Sequence, residues 1–120
     1  MARVADYVII RDSWKVDDGG FNTINFTVPN NIDVGSRCVL NFMFKVATTD
    51  DASVNVSING TGVWNWHGSG SVDPPIRCMQ EVVAAHVVKP GENLFQFDAN
   101  TAGFTFTELS DIVLWIQANV

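Results

Sequence analysis

The 120-residue chain has no helical hydrophobic period of useful length and no apolar run that could cross a bilayer. Its longest apolar runs, such as Val82-Val83-Ala84-Ala85, fall far short of the roughly 20 residues a membrane helix needs. Positive charge is scarce: seven Lys and Arg stand against thirteen Asp and Glu, a formal net charge of −6. Nucleic-acid binding requires phosphate neutralisation by Lys and Arg, so it is not expected here, and no polybasic cluster offers a site for anionic lipid. Cysteine is limited to Cys38 and Cys78, which have no neighbouring His or Cys and so form no structural zinc site. One disulfide is open to them in an oxidising compartment; the preferred reading is two reduced, buried side chains. The first residues, Met1 to Asp6, lack the apolar segment of a signal peptide, so a complete chain is expected to be cytoplasmic. No cofactor motif is found.

What is present is a β-rich composition. Hydrophobic residues make up 47%, with eight Phe and four Trp, enough for a real core in a single domain spanning 1–120. Val4 to Arg11 is a short β-rich run. Ile24, Phe26 and Val28 share one face of the next segment, and Cys38, Leu40, Phe42, Phe44 and Val46 share one face of the third. Val39 and Met43 make the opposite face of that third strand less polar than a solvated one. Val54, Val56 and Ile58 alternate ahead of Asn59-Gly60, a hairpin turn of two residues or a longer one reaching Gly62. Val63 to His67 follows, then an eight-residue loop from Gly68 to Pro75. Cys78 to Val88, with its Glu81–Val88 part read as strand, shows no clean face and leaves room for a bulge or a single helical turn. Pro90-Gly91 signals a type II turn, Phe95 and Phe97 alternate after it, and Ser110-Asp111 is expected to begin the last strand. Eight or nine strands separated by turns predict an all-β, antiparallel two-sheet sandwich, most simply a jelly roll.

The run Ala52 to Gly60, then Val63 and Trp66 to Gly70, then Val88-Lys89-Pro90-Gly91-Glu92-Asn93-Leu94-Phe95-Gln96-Phe97, resembles the galactose-binding-domain-like jelly roll. In particular it is similar to the sugar-binding accessory domain of the family 2 glycoside hydrolases, and Ser110 to Ile116 suits that domain's final strand. The resemblance covers about half the chain and implies the fold. No catalytic barrel accompanies it, and many such domains are structural and bind no sugar.

Trp64, Trp66 and His67 beside the Gly68–Pro75 loop are the most suggestive cluster. Sugars stack C–H faces on exposed indoles, and Asn65, Asp73 and Arg77 could fix the hydroxyls. The alternative is that both Trp residues are simply core. Trp14 is a second candidate loop aromatic. Val113 and Trp115 lie opposite the Ile112, Leu114 and Ile116 face and, with Val39 and Met43, could form an apolar outer face. His67 with Asp73 lacks any nucleophile context, and nothing suggests that Glu81 and Glu108 meet as a glycosidase pair. Asp17-Asp18, Asp33 and Asp50-Asp51 occupy turns, where turn chemistry outweighs calcium binding. The glycosylation triplets at Asn25, Asn55 and Asn59 are discounted. The leading expectation is a non-catalytic module that recognises a glycan at Trp64, Asn65, Trp66, His67, Asp73 and Arg77, with no metal. The alternative is an assembly protein that forms homo-oligomers through Val39, Met43, Val113 and Trp115.

Overall fold

A computed structural model of the chain describes residues 2–16, 21–48, 51–69, 76–101 and 104–120. Eight strands carry it: β1 (Arg3–Val16), β2 (Phe21–Val28), β3 (Cys38–Thr48), β4 (Asp51–Ile58), β5 (Thr61–Ser69), β6 (Arg77–Val83), β7 (Gly91–Thr101) and β8 (Phe104–Asn119). They form two antiparallel sheets of four, ordered β1-β8-β3-β6 and β2-β7-β4-β5. The sheets lie face to face, with β3 over β4 and β6 over β5. The expected two-sheet sandwich is therefore what the chain adopts.

Period-2 alternation builds the core. Leu40, Phe42 and Phe44 of β3 meet Val54, Val56 and Ile58 of β4 and Phe95 and Phe97 of β7, and all eight are buried. Each of the larger side chains contributes on the order of 1.5–3 kcal/mol on burial.

Strand β8 shows how the alternation is kept in phase. Leu109 and Ile112 are both fully buried although they stand three positions apart, a spacing that a regular strand cannot bury on one face. A bulge resolves the conflict. Asn41 pairs with Val113 and Met43 with Ser110, so Phe42 of β3 spans two residues of β8. Asp111 takes φ 50°, a left-handed conformation that Asp tolerates better than most residues. Ser110-Asp111 is thus a bulge inside one continuous strand and not a strand start. A second correction concerns Glu81–Val88. The strand ends at Val83, and 84–88 turn, with His86 at φ 70° and its N–H donated to the Val34 carbonyl at 2.8 Å.

Both turn signals take the conformations their residues favour. Asn59 and Gly60 sit at φ 51° and 82°, and Ile58 pairs with Thr61, which makes the turn the two-residue type I′ form. Gly91 sits at φ 83°, as the third position of a type II turn requires. The two turns are tied together by side chains. Asn93 is buried, and its Nδ2 donates to the carbonyls of Lys89 at 2.8 Å and Gly91 at 3.1 Å. Its Oδ1 accepts from the Lys89 N–H at 3.0 Å and from Asn59 Nδ2 at 2.8 Å. Asn59 Nδ2 also donates to the Val87 carbonyl at 2.8 Å, and Asn59 Oδ1 accepts from the Leu94 N–H at 2.8 Å.

All four hydrogen-bonding positions of the buried Asn93 amide are filled, so truncation strands several backbone groups at once. Asn93→Ala is expected to cost about 2–4 kcal/mol, read as a lowered urea midpoint. Asn93→Asp should be comparably damaging, because a carboxylate cannot donate to the Lys89 and Gly91 carbonyls. Thr23→Ala, on an exposed strand position, should stay within about 0.5 kcal/mol of the parent.

Candidate functional site

Among the described residues, strand β5 is an edge of its sheet and pairs with β4. Trp64 pairs with Val56 and Trp66 with Val54, whose side chains are buried, so both indoles turn toward the sandwich interior. Trp64 meets Phe42 at 5.0 Å and Phe44 at 5.2 Å between ring centroids, both edge to face. Trp66 meets Phe44 at 5.4 Å in the same manner. A Cβ on Gly68 would stand 3.1 Å from the Trp66 ring, so the indole lies along the strand against bare backbone. Both rings remain half-buried, because they close the core at its open margin between the edge strands β5 and β6.

The intervening residues point the other way. Asn65 and His67 are exposed on the outer sheet face, opposite Asn55 and Ser53. A register shift between Val56 and Ser57 leaves Val63 as the extra residue of a bulge in β5. At this bulge the surface dips into a shallow depression of about 600 Å³ lined by Asn55, Ser57, Gly62, Val63, Trp64, Asn65 and Glu81. Glu81 reaches it from β6, sharing the alternation of the buried Val83. Beside it, Asp98 pairs in register with Asn55, and its Oδ1 is shielded from solvent without a hydrogen-bond partner.

The expected cluster is therefore split. Trp64 and Asn65 line the depression; Trp66, His67 and Arg77 do not. Arg77 is exposed at the start of β6, opposite Phe44, and Asp73 lies outside the described residues. Asn55, Ser57 and Glu81 join the site although sequence reasoning left them out of it. The two-residue turn at Asn59-Gly60 puts Ser57 opposite Gly62, but Asn55 meets Asn65 only through the Val63 bulge, which no turn residue signals. Indole, amide, hydroxyl and carboxylate together suit an uncharged ligand rich in hydroxyl groups.

Other expected groups can be placed as well. Glu81 pairs with Leu40 and Glu108 with Lys45, so they stand five residues apart along β3. That is about 17 Å of strand, well beyond the separation of a glycosidase carboxylate pair. Asp33 is occupied by Arg3 and Ser36, each at 2.8 Å, and among the described residues no cluster of His, Cys, Asp and Glu could hold a metal. Asp17, Asp18 and Asp50 lie outside the described residues. Trp14 belongs to β1, opposite Leu109, and not to a loop. On the other sheet, Val39 and Trp115 are exposed and Met43 and Val113 half-buried on one outer face.

Cys38 pairs with Val83 and faces the core; Cys78 pairs with Met43 and is exposed. Only one of the two thiols is buried, against expectation. The residues sit five positions apart along β3, and both are free.

This two-sheet strand order, β1-β8-β3-β6 over β2-β7-β4-β5, is that of a jelly roll. No protein-family model and no curated protein matches the sequence, but solved structures do match the fold. Dimeric latent PorU from Porphyromonas gingivalis superposes on 98% of the chain with a TM-score of 0.72 and 11% identity; the chain spans only 13% of PorU. A family 35 carbohydrate-binding module from an environmental isolate gives a TM-score of 0.55 at 12% identity, covering 80% of this chain and 64% of that one. The CBM36-1 domain of a multidomain xylanase from the hindgut metagenome of Trinervitermes trinervoides gives 0.52 at 12% identity, covering 98% of this chain and 100% of the domain. At such identities the likeness is one of fold.

The two thiols make a direct check on this geometry. Burial pushes the Cys38 thiol up from its ordinary range, while Cys78 lies open to solvent. A disulfide-exchange reagent should titrate one thiol promptly in the native protein and the second only on unfolding. Cys78→Ser should abolish the prompt phase.

Proposed function

We propose that residues 1–120 act as one non-catalytic carbohydrate-binding module that takes a neutral glycan at the β4–β5 edge. The observation that carries this reading is the depression in which Trp64 stands beside Asn55, Ser57, Asn65 and Glu81. The open part of the Trp64 indole offers a surface for the C–H face of a sugar ring. Amide groups both donate and accept, and a carboxylate accepts, so together they match vicinal hydroxyls. His67 follows Asn65 on the same outer face at roughly 7 Å, within reach of the next sugar of a chain. Arg77, exposed at the start of β6, and Asp73 are the further polar groups of the proposed set. Trp66 supports the site from within by packing on Phe44.

The ligand is neutral by electrostatics: Glu81 lines the depression and the chain carries a net charge of −6, which disfavours acidic polysaccharides. The names of the family 35 and CBM36-1 structures lend the same fold a carbohydrate-binding precedent. Affinity electrophoresis and calorimetry against neutral polysaccharides should show binding to at least one. Asn65→Ala and Glu81→Gln, both at the surface margin, should each weaken it about tenfold, the equivalent of roughly 1.4 kcal/mol. Trp64→Phe should weaken it while keeping the contacts to Phe42 and Phe44. Retention on no neutral glycan, or binding indifferent to Asn65→Ala and Glu81→Gln, would sink the reading.

A further inference from the structure

The sheet that does not carry the proposed glycan site has an outer face of unusual composition. Register aligns Tyr7 of β1 with Trp115 of β8, Trp115 with Val39 of β3, and Val39 with Val82 of β6. All four are exposed large apolar side chains, Tyr7 at 54% and Trp115 at 44%, and the two rings touch at 5.4 Å. The stripe thus crosses the full width of the sheet. The next row runs from Ile9, 58% exposed, through Val113 and Asn41 to Gln80. The flanking pairs Ala5–Gln117 and Met43–Cys78 are uncharged too. The two rows that cross all four strands carry no Lys, Arg, Asp or Glu, in a chain that is 17% charged; exposed charges stand at their margins, Asp111 in the β8 bulge and Arg37 two residues before Val39. Aromatic enrichment with charge depletion is the mark of an interface centre.

We infer that this face pairs with the same face of a second copy of the chain. Three features select a copy over another partner. The first is size. Large rings occupy β1 and β8, and small valines occupy β3 and β6. A two-fold axis running along the strands lays β1 over the partner's β6 and β8 over the partner's β3. Tyr7 then meets Val82 and Trp115 meets Val39, large against small, as two packed sheets require. The second is charge. Two copies at −6 each repel across most approaches, and this face opposes rows that carry no charge. The third is area. Four strands about 4.8 Å apart, with two full rows and a half row on either side at about 7 Å each, give roughly 400 Å² per copy, about 800 Å² in all, the size of a weak, reversible association. The β4–β5 edge belongs to the other sheet and stays open, so a dimer would carry two glycan sites and gain avidity on a polymer.

Sedimentation velocity on the full chain over a micromolar concentration series tests the inference. A reversible dimer is expected, and Trp115→Glu should weaken it by at least about 30-fold, with the far-UV circular dichroism unchanged. Val39→Lys should act likewise. Thr23→Glu, on the opposite sheet's outer face, should leave association intact. The axis is read by oxidation in a Cys78→Ser background: Tyr7→Cys combined with Val82→Cys should cross-link two chains, and Tyr7→Cys alone should not. A chain that stays monomeric throughout overturns the inference, as does a Trp115→Glu variant that dimerises like the parent. Cross-linking by Tyr7→Cys alone overturns the strand-aligned geometry. A monomer whose glycan retention is lost in Trp115→Glu would make this face a ligand surface instead.

Discussion

The pair Asn59–Asn93 is the constraint on which the rest of the sandwich depends. Asn59 sits in the tight turn between β4 and β5; Asn93 opens β7 just after the Pro90-Gly91 turn. A buried amide is costly unless all of its groups are paired, and here each carbonyl and NH₂ position of Asn93 is taken. The pair therefore admits one arrangement of the chain at this end. It fixes where β4 turns, where the Val87–Gly91 segment runs, and in what register β7 enters between β2 and β4. Through that register it also sets Asn55 beside Asp98 and Asn65.

From that anchored end the β4–β5 hairpin runs out to the open margin of the sandwich. An edge strand gains hydrogen bonds on one side only, and its inward side chains lie where the core is thinnest. Trp64 and Trp66 suit that place, because a large ring can pack edge to face on Phe42 and Phe44 while part of it stays in water. The same rings thus serve the core and the surface. The two outer sheet faces then diverge in chemistry. One carries amides, hydroxyls and a carboxylate across β7, β4 and β5; the other carries an apolar stripe from Tyr7 to Val82.

Much of this was legible in the residues. Strict alternation in β3, β4 and β7 disclosed both the strands and their buried faces, and the turn residues disclosed the hairpin. The departures share one cause. Both misread points are decided by pairing: at Leu109–Ile112 a phase change reads as a strand start, and at Val83–Val88 an apolar run reads as the strand continuing, when the neighbouring strand is unknown. Only the pairing with Phe42 shows that β8 continues through a bulge, and only the bond from His86 to Val34 shows that β6 has stopped. The site was half legible for a related reason: residues two apart on β5 share a face by the pleat, whereas Glu81 arrives from a strand more than ten residues downstream.

By itself the sequence determined the all-β class, the two turns and the faces that turn inward, because those follow from local φ preferences and the two-residue period of a strand. It also placed Asn59 and Asn93 in their turns. Tertiary structure alone decided that these two amides bond to each other, that Trp64 faces inward at an edge with Glu81 beside it, and that four apolar residues from four strands fall into one row. Those outcomes depend on strand order and register, which come from long-range pairing and are not encoded in any local window.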